Sequence, residues 1–349
     1  MLRDPSSETR HGPLMLTVGE PAGVGPDCIL RAFRDHPDEF TDILVISPPG
    51  WLRKRAGEAG LDIDVQELSS PDERAGEGAL SCWPAGLNTR HSIVCGQPVE
   101  DTAHSVIQCI RIAAERCLAG KARAMITGPI EKAVLRHAGF PFPGHTEFLA
   151  DIAGSRQVVM MLASDELRVA LLTTHLALSK APKQLTIEKT VACLRIVHQE
   201  LRDRFGIAHP RLGLCGLNPH AGERGHFGRE EIDILQPAAK LARNEGVAVD
   251  GPLPADTMFS SDRRKGFDAI VCCYHDQALI PIKALSFSQA VNITLGLPFV
   301  RTSPDHGTGL DRAGSPQVSY SSLMAAIRMA RSMSKGSVDL ISASQEYVS

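Results

Sequence analysis

The apolar residues of this chain come in short runs that stop abruptly at glycine, proline or a polar residue. That punctuation confines the fold to α/β layers. Residues 14–18 (LMLTV) run into GEPAGVGP, residues 43–47 form a second run, and 124–127 stop at Gly128-Pro129. Residues 158–162 and 168–173 read as paired strands, and 211–217 as a further one. Between runs, apolar positions recur with helical spacing. Positions 191, 194, 197, 201 and 205 share one face, with Thr186 placed as the cap and Glu188 in the first turn. The opening order of strand, glycine-rich turn, helix and strand is a βαβ pattern. A hydrophobic share of 43% with only 5% aromatics suits layers of Val, Ile, Leu and Ala. At 349 residues, two such lobes are expected rather than one.

Charge and composition exclude several roles. A net charge of −3 leaves no basic footprint for nucleic acid and no polybasic membrane patch. The start, MLRDPSSETRHGP, has no apolar segment of the secretory type and reads as a disordered tail over residues 1–13. No apolar run approaches the roughly 18 residues that span a bilayer. The nine cysteines contain no CxxC pair, and several sit inside apolar runs as small hydrophobes, so the expected compartment is the cytoplasm.

Chemistry concentrates in the stretch from Phe267 to Gly314. An apolar run at 269–274 delivers His275 and Asp276, and Lys283, Asn292, Arg301, Asp305 and His306 follow on what read as loops and strand ends. Charged and amide groups at the ends of apolar strands cost stability unless partnered, so such a concentration marks a site more often than a scaffold. Three histidines share one placement, directly after an apolar run: His175, His220 and His275. In open α/β sheets ligands bind beyond the carboxyl ends of strands. Three converging imidazoles suit a borderline divalent ion such as Zn²⁺, Co²⁺ or Ni²⁺ and leave positions open for substrate oxygens, whereas Mg²⁺ or Mn²⁺ favours more carboxylates. Long separations in sequence enforce no such cluster, and three unrelated polar residues would fit the same pattern. Lys283, Asn292 and Arg301 suit an anionic substrate. The segment GFPFPGHTEF, with two prolines and two glycines, reads as an irregular binding loop carrying His145, Thr146 and Glu147. No GxGxxG fingerprint and no Walker loop occurs.

GEPAGVGP, ITGPIEK, GHTEF, TTHLAL, CGLNPHAGE, GPLPAD, YHDQALIPIK and VNITLGLPFVRTSPDHGTG together resemble the 4-hydroxythreonine-4-phosphate dehydrogenase family of vitamin B6 synthesis, over residues 14–333. The resemblance implies a homodimer of chains with two α/β/α lobes of the isocitrate/isopropylmalate dehydrogenase type. One lobe, 14–140 with 295–349, would lie on the cofactor side. The other, 141–294, would carry the metal and the dimer contact, with the active-site cleft between lobes and near the interface. It maps metal ligands onto His175, His220 and His275, for an ion among Zn, Co, Mg and Mn. Substrate-binding residues map onto His145, Thr146, Lys283, Asn292 and Arg301, with Asp256 and Asp276 nearby. Lys283, Asp276 and Asp256 are the implied catalytic groups, and Asp305, His306, Gly307, Thr308 and Gly309 the implied NAD or NADP loop. The implied reaction oxidises a small anionic hydroxy acid at a secondary alcohol and decarboxylates the resulting β-keto acid.

One segment departs from the family pattern. Where relatives carry a GKGxAD-type turn after DHGTGLDRAG, this chain has Ser315-Pro316-Gln317-Val318-Ser319-Tyr320, shorter and without the lysine. Residues 62–100 also match poorly. The departure keeps related dehydrogenases in view, acting on phosphorylated sugar acids or on terephthalate 1,2-cis-dihydrodiol, which also yields a β-keto acid. A non-catalytic metabolite-binding protein on the same scaffold would be expected to lose a histidine ligand or Lys283; all are present.

Overall fold

The computed structural model describes residues 12–85 and 93–335. The tail assigned to 1–13 lies outside them except for Gly12 and Pro13, as do residues 86–92 of the poorly matching segment. Two compact units form, one from residues up to 155 together with 297–334, the other from 156–296. Both are α/β, as the punctuated apolar runs require.

The chain starts in the first unit with β1 (Leu14–Thr17), α1 (Gly25–Asp35), β2 (Ile43–Ile46), α2 (Pro49–Glu58), β3 (Val65–Glu67) and β4 (Leu80–Trp83). Next come α3 (Ala103–Leu118), β5 (Ala124–Thr127), α4 (Lys132–His137) and α5 (His145–Ala153). The second unit supplies β6 (Val159–Ala163), β7 (Arg168–Leu171), α6 (Ile187–Asp203), β8 (Arg211–Cys215), α7 (Gln236–Asn244) and β9 (Ala248–Leu253). It ends with β10 (Ala269–Cys272), α8 (His275–Ser286) and β11 (Val291–Leu295), before β12 (Val300–Pro304) and α9 (Ser321–Ser334) return to the first unit.

In the first unit the strands run β3-β4-β2-β1-β5-β12, every pair parallel. Leu14, Met15, Leu16, Ile43, Leu44, Val45, Ile46, Met125 and Ile126 are buried completely. Burial on both faces of a helix-covered parallel sheet explains their unbroken apolar runs, and each large aliphatic side chain contributes about 1.5–3 kcal/mol. In the second unit the order is β11-β6-β7-β10-β8-β9. β6 pairs antiparallel with both neighbours, and the rest are parallel. Thr186 caps α6 through its hydroxyl, which accepts from Lys189 N at 3.2 Å.

Two expectations need correcting. GHTEF is not an irregular loop: both prolines precede the helix, Gly144 is extended, and α5 begins at His145. It packs on α3 within the first unit, not in the second lobe where the sequence boundary put it. Lys283 stands neither on a loop nor at a strand end but on α8, which starts at His275 and carries Pro281 internally.

The loops over β1 are tied down by a buried ion pair. Arg55 Nη1 meets Asp27 Oδ2 at 2.5 Å, and Arg55 also donates to the carbonyls of Gly23 (3.2 Å) and Pro21 (3.0 Å). Asp27 Oδ2 accepts the Gly314 amide at 3.0 Å. Truncating one partner strands a charge where water does not reach, a change that costs about 3–5 kcal/mol. Arg55→Ala is therefore expected to lower the urea midpoint by a corresponding amount without altering the m-value. An unchanged midpoint would show that the pair is dispensable.

Candidate active site

Parallel pairing sends all carboxyl ends of neighbouring strands to one edge, and in each unit that edge gathers the polar residues. In the second unit the exits of β7, β10, β8 and β9 lie side by side. They lead to His175, His275, His220 and Asp256 respectively. Side-chain and backbone staples join these exits. Thr173 Oγ1 donates to Cys273 O at 2.7 Å, and Gly216 N donates to Leu253 O at 2.7 Å. Gln277 bridges the middle pair, donating to Gly216 O at 2.8 Å and accepting from Cys273 N at 2.6 Å.

The ring centroids of His175 and His275 lie 5.5 Å apart, with the planes tilted by 46°. His275 Nδ1 lies 2.7 Å from Asp276 Oδ1, the carboxylate–imidazole arrangement that fixes a tautomer and turns Nε2 to other partners. His220 stands apart from this pair, with its ring 6.1 Å from Phe227. Among the described residues of one chain, no group of three His, Cys, Asp or Glu side chains is close enough to hold a metal. Two of the three histidines are thus brought together, and their donor chemistry fits a divalent ion.

His220 opens an unusual segment. His220, Ala221, Gly222, Glu223 and Arg224 all adopt left-handed dihedrals, with φ of 52°, 54°, 80°, 41° and 57°. For each residue other than glycine this costs about 1–2 kcal/mol. Asp256 sits exposed on the short turn Ala255–Met258, which packs against this segment. Lys283 lies about two turns along α8 from Asp276, its ammonium 5.9 Å from the Phe287 ring. Asn292, on β11, keeps a buried Oδ1 without a hydrogen-bond partner.

In the first unit β1, β5 and β12 are neighbours, and their exits bring three loops together. Glu20 N donates to Pro129 O at 2.8 Å, Val24 N to Thr308 O at 2.8 Å, and Thr308 Oγ1 to Glu131 Oε2 at 3.1 Å. Such closeness leaves no room for Cβ atoms: one on Gly25 would come within 2.2 Å of Val18 O, one on Gly128 within 2.3 Å. Asp305, His306, Gly307, Thr308 and Gly309 therefore form a loop seated on the start of α1. Asp305 N donates to Ser322 Oγ at 3.3 Å, and His306 Nδ1 lies 2.8 Å from Gly307 O. The divergent turn at 315–320 is also seated on α1. Arg31 Nη2 donates to Ser315 O at 3.3 Å, and the Tyr320 hydroxyl to Asp35 Oδ2 at 2.7 Å.

Arg301, buried within β12, donates to Thr127 Oγ1 at 2.7 Å. Burial pulls its pKa down to about 10, with Glu147 opposing, so it remains a cation. His145 Nε2 is enclosed without a hydrogen-bond partner. Its enclosure, then Arg301 and Lys132, hold its pKa well below the imidazole range, so the ring is neutral. Thr146 follows it in the first turn of α5. Burial raises Glu20 to about 7, against the amide of Ala22 and with the help of Glu131. A neutral imidazole and two cations around one helix start can accept and orient an anionic group.

Lys132, Glu20, Glu131 and Gln277 were not singled out from the sequence. Lys132 and Glu131 follow a strand exit just as the three histidines do, and that shared signal would have found them.

Known proteins resemble this chain over most of its length. The family described as pyridoxal phosphate biosynthetic protein PdxA matches residues 39–330. A 4-hydroxythreonine-4-phosphate dehydrogenase of Pseudomonas aeruginosa is 46% identical over 324 residues, 91% of this chain and 97% of that protein. The crystal structure of the Klebsiella pneumoniae 4-hydroxythreonine-4-phosphate dehydrogenase is 33% identical, with a TM-score of 0.83 over 93% of this chain and 100% of that one. A terephthalate 1,2-cis-dihydrodiol dehydrogenase of Burkholderia xenovorans is more distant, at 27% identity and a TM-score of 0.65, over 92% of this chain and 98% of that one.

The two shifted groups pull stability in opposite directions with pH. His145 has a folded pKa below its ordinary 6.5, so its contribution is present above that value and lost as pH falls below it. Glu20 is raised from 4.5 to about 7, so its contribution is present below 4.5 and lost as pH rises through about 7. Thermal unfolding across this range is expected to show Glu20→Gln gaining about 2–6 °C on the parent protein between acid and pH 8. His145→Gln should gain on the parent as pH falls below 6.5. Differences that stay flat with pH would contradict both assignments.

Proposed function

The chain belongs to the PdxA family of pyridoxal phosphate biosynthetic proteins, and on that premise we propose that it oxidises 4-phosphohydroxy-L-threonine with NAD⁺ or NADP⁺ and releases CO₂ to give 3-amino-2-oxopropyl phosphate. The observation that carries this reading is the 46% identity, over nearly the whole of both chains, to an enzyme named for that substrate. The residues fit the chemistry. Hydride leaves the secondary alcohol carbon for the nicotinamide ring while the hydroxyl proton passes to the protein. The new ketone stands β to the carboxylate, so the C–C bond electrons can flow into it as CO₂ departs.

Asp276 is hydrogen-bonded to His275 and orients that imidazole, and the alcohol proton passes to Lys283 or Asp256. The anionic ends of the substrate fall to His145, Thr146, Arg301 and Asn292, with Lys132 adding charge beside His145. His175, His275 and His220 would hold a divalent metal, which supplies Lewis-acid polarisation of the alcohol and ketone oxygens when bound. The loop Asp305–Gly309 would receive the dinucleotide; its seat on α1 through Thr308 supports that role.

We further propose a homodimer. Ile280 on α8, Phe287 just after it and Leu178 beyond His175 expose large apolar surface (68%, 76% and 64%), all near the proposed ligands in sequence. A second copy would cover that surface and offer a route by which His220 joins a histidine pair. All nine cysteines are free thiols, in keeping with a cytoplasmic enzyme. The terephthalate dihydrodiol remains the second substrate to test, because a solved relative bears that name; its lower similarity ranks it behind the phosphate ester.

Three measurements follow. Metal-loaded protein should form reduced nicotinamide with 4-phosphohydroxy-L-threonine and none with terephthalate cis-dihydrodiol; the reverse pattern would replace the substrate assignment. Arg301→Met should lower kcat/KM about 10- to 100-fold, as loss of a charged hydrogen bond to substrate requires. In solution, Phe287→Asp should shift the protein from dimer toward monomer in sedimentation, and a parent protein that sediments as a monomer would remove the dimer.

A further inference from the structure

The left-handed segment that carries His220 is wrapped around a buried carboxylate. Glu231 is almost fully buried, on a wide π-type turn at Glu231–Leu235. Its Oε1 accepts the Asn218 amide at 2.7 Å, and its Oε2 accepts Asn218 Nδ2 at 2.9 Å. Asn218 Nδ2 also donates to Glu230 Oε2 at 2.7 Å. Gly222 presses its backbone onto the same carboxylate, since a Cβ there would approach Glu231 Oε2 to 2.6 Å. Gly216, at the exit of β8, is equally close: its Cβ would meet Ala221 Cα at 2.8 Å and Glu231 Oε1 at 3.2 Å. Further along, the segment closes on itself through Ala221 N to Asn218 O, His226 N to Glu223 O and Phe227 N to Gly222 O.

Four non-glycine residues in left-handed conformation persist only where their surroundings over-determine them. The surroundings here are one carboxylate gripping the residue two before His220 and packing under the residue two after it. We propose that Glu231 is a positioning residue for His220, acting through Asn218 and Gly222 to set where that imidazole points. The proposal rests on the reading of His220 as a metal ligand, and it extends that reading to the shell that aims the ligand.

The test is Co²⁺ titration of the metal-stripped, full-length protein, followed by cobalt d–d absorption, with circular dichroism reporting the fold of each variant. Glu231→Gln and Gly222→Ala disturb the clamp from opposite sides and should each raise the apparent Co²⁺ Kd about 10- to 100-fold with a changed d–d band. His220→Ala should do the same, and adding Glu231→Gln to it should cause little further loss, because both act through one imidazole. Parental Co²⁺ binding in the two clamp variants, or full additivity with His220→Ala, would overturn the proposal. If one clamp variant fails to fold, the other carries the comparison. A His175→Ala/His275→Ala protein that binds Co²⁺ like the parent would overturn the metal reading itself, and the clamp with it.

Discussion

Parallel strand pairing is the constraint on which the rest depends. A parallel ladder cannot be closed by a tight hairpin, so each strand is followed by a crossover, and all carboxyl ends emerge at one edge. That geometry turns sequence positions far apart into neighbours: Glu20, Glu131 and Thr308 in one unit, His175 and His275 in the other, with His220 and Asp256 after adjoining strands. The antiparallel strand β6 sits beside β7 and does not interrupt the run of parallel exits from β7 to β9.

Placing polar groups at such an edge has a cost, and the chain offsets it in two ways. Hydrogen bonds staple adjacent exits, as Gln277 does between Cys273 and Gly216. Buried charges hold loops from beneath, as the Asp27–Arg55 pair does under GEPAGVGP and Glu231 does under NPHAGE. In each case the buried group contacts backbone rather than any group assigned to chemistry. Precision at the edge is therefore delegated to residues that the reaction never meets.

The strands were legible because burial on both faces leaves unbroken apolar runs, and the cap at Thr186 because its signal is local. The closeness of His175 and His275 follows from the same pattern, each standing after such a run, whereas the run before His220 does not bring it to them. What sequence could not display was conformation decided at a distance. Nothing in HAGER announces a left-handed turn, since only one of its residues is glycine and the force that holds it comes from Glu231. The prolines before GHTEF signal a break, but the helix begins just after them, at His145. Glu20 carries no local sign of a raised pKa, which comes first from its burial and then from Glu131, both products of the tertiary fold.

The seating of Thr308 has one more implication. Its carbonyl is fixed by the first turn of α1 and its hydroxyl by Glu131, so the 305–309 loop is ordered by the same forces that order the sheet. A molecule arriving at this loop meets a surface whose conformational entropy was surrendered during folding, and association need not supply it. Affinity there should then respond to temperature as it does for rigid pockets, with little of the large negative heat-capacity change that accompanies loop closure.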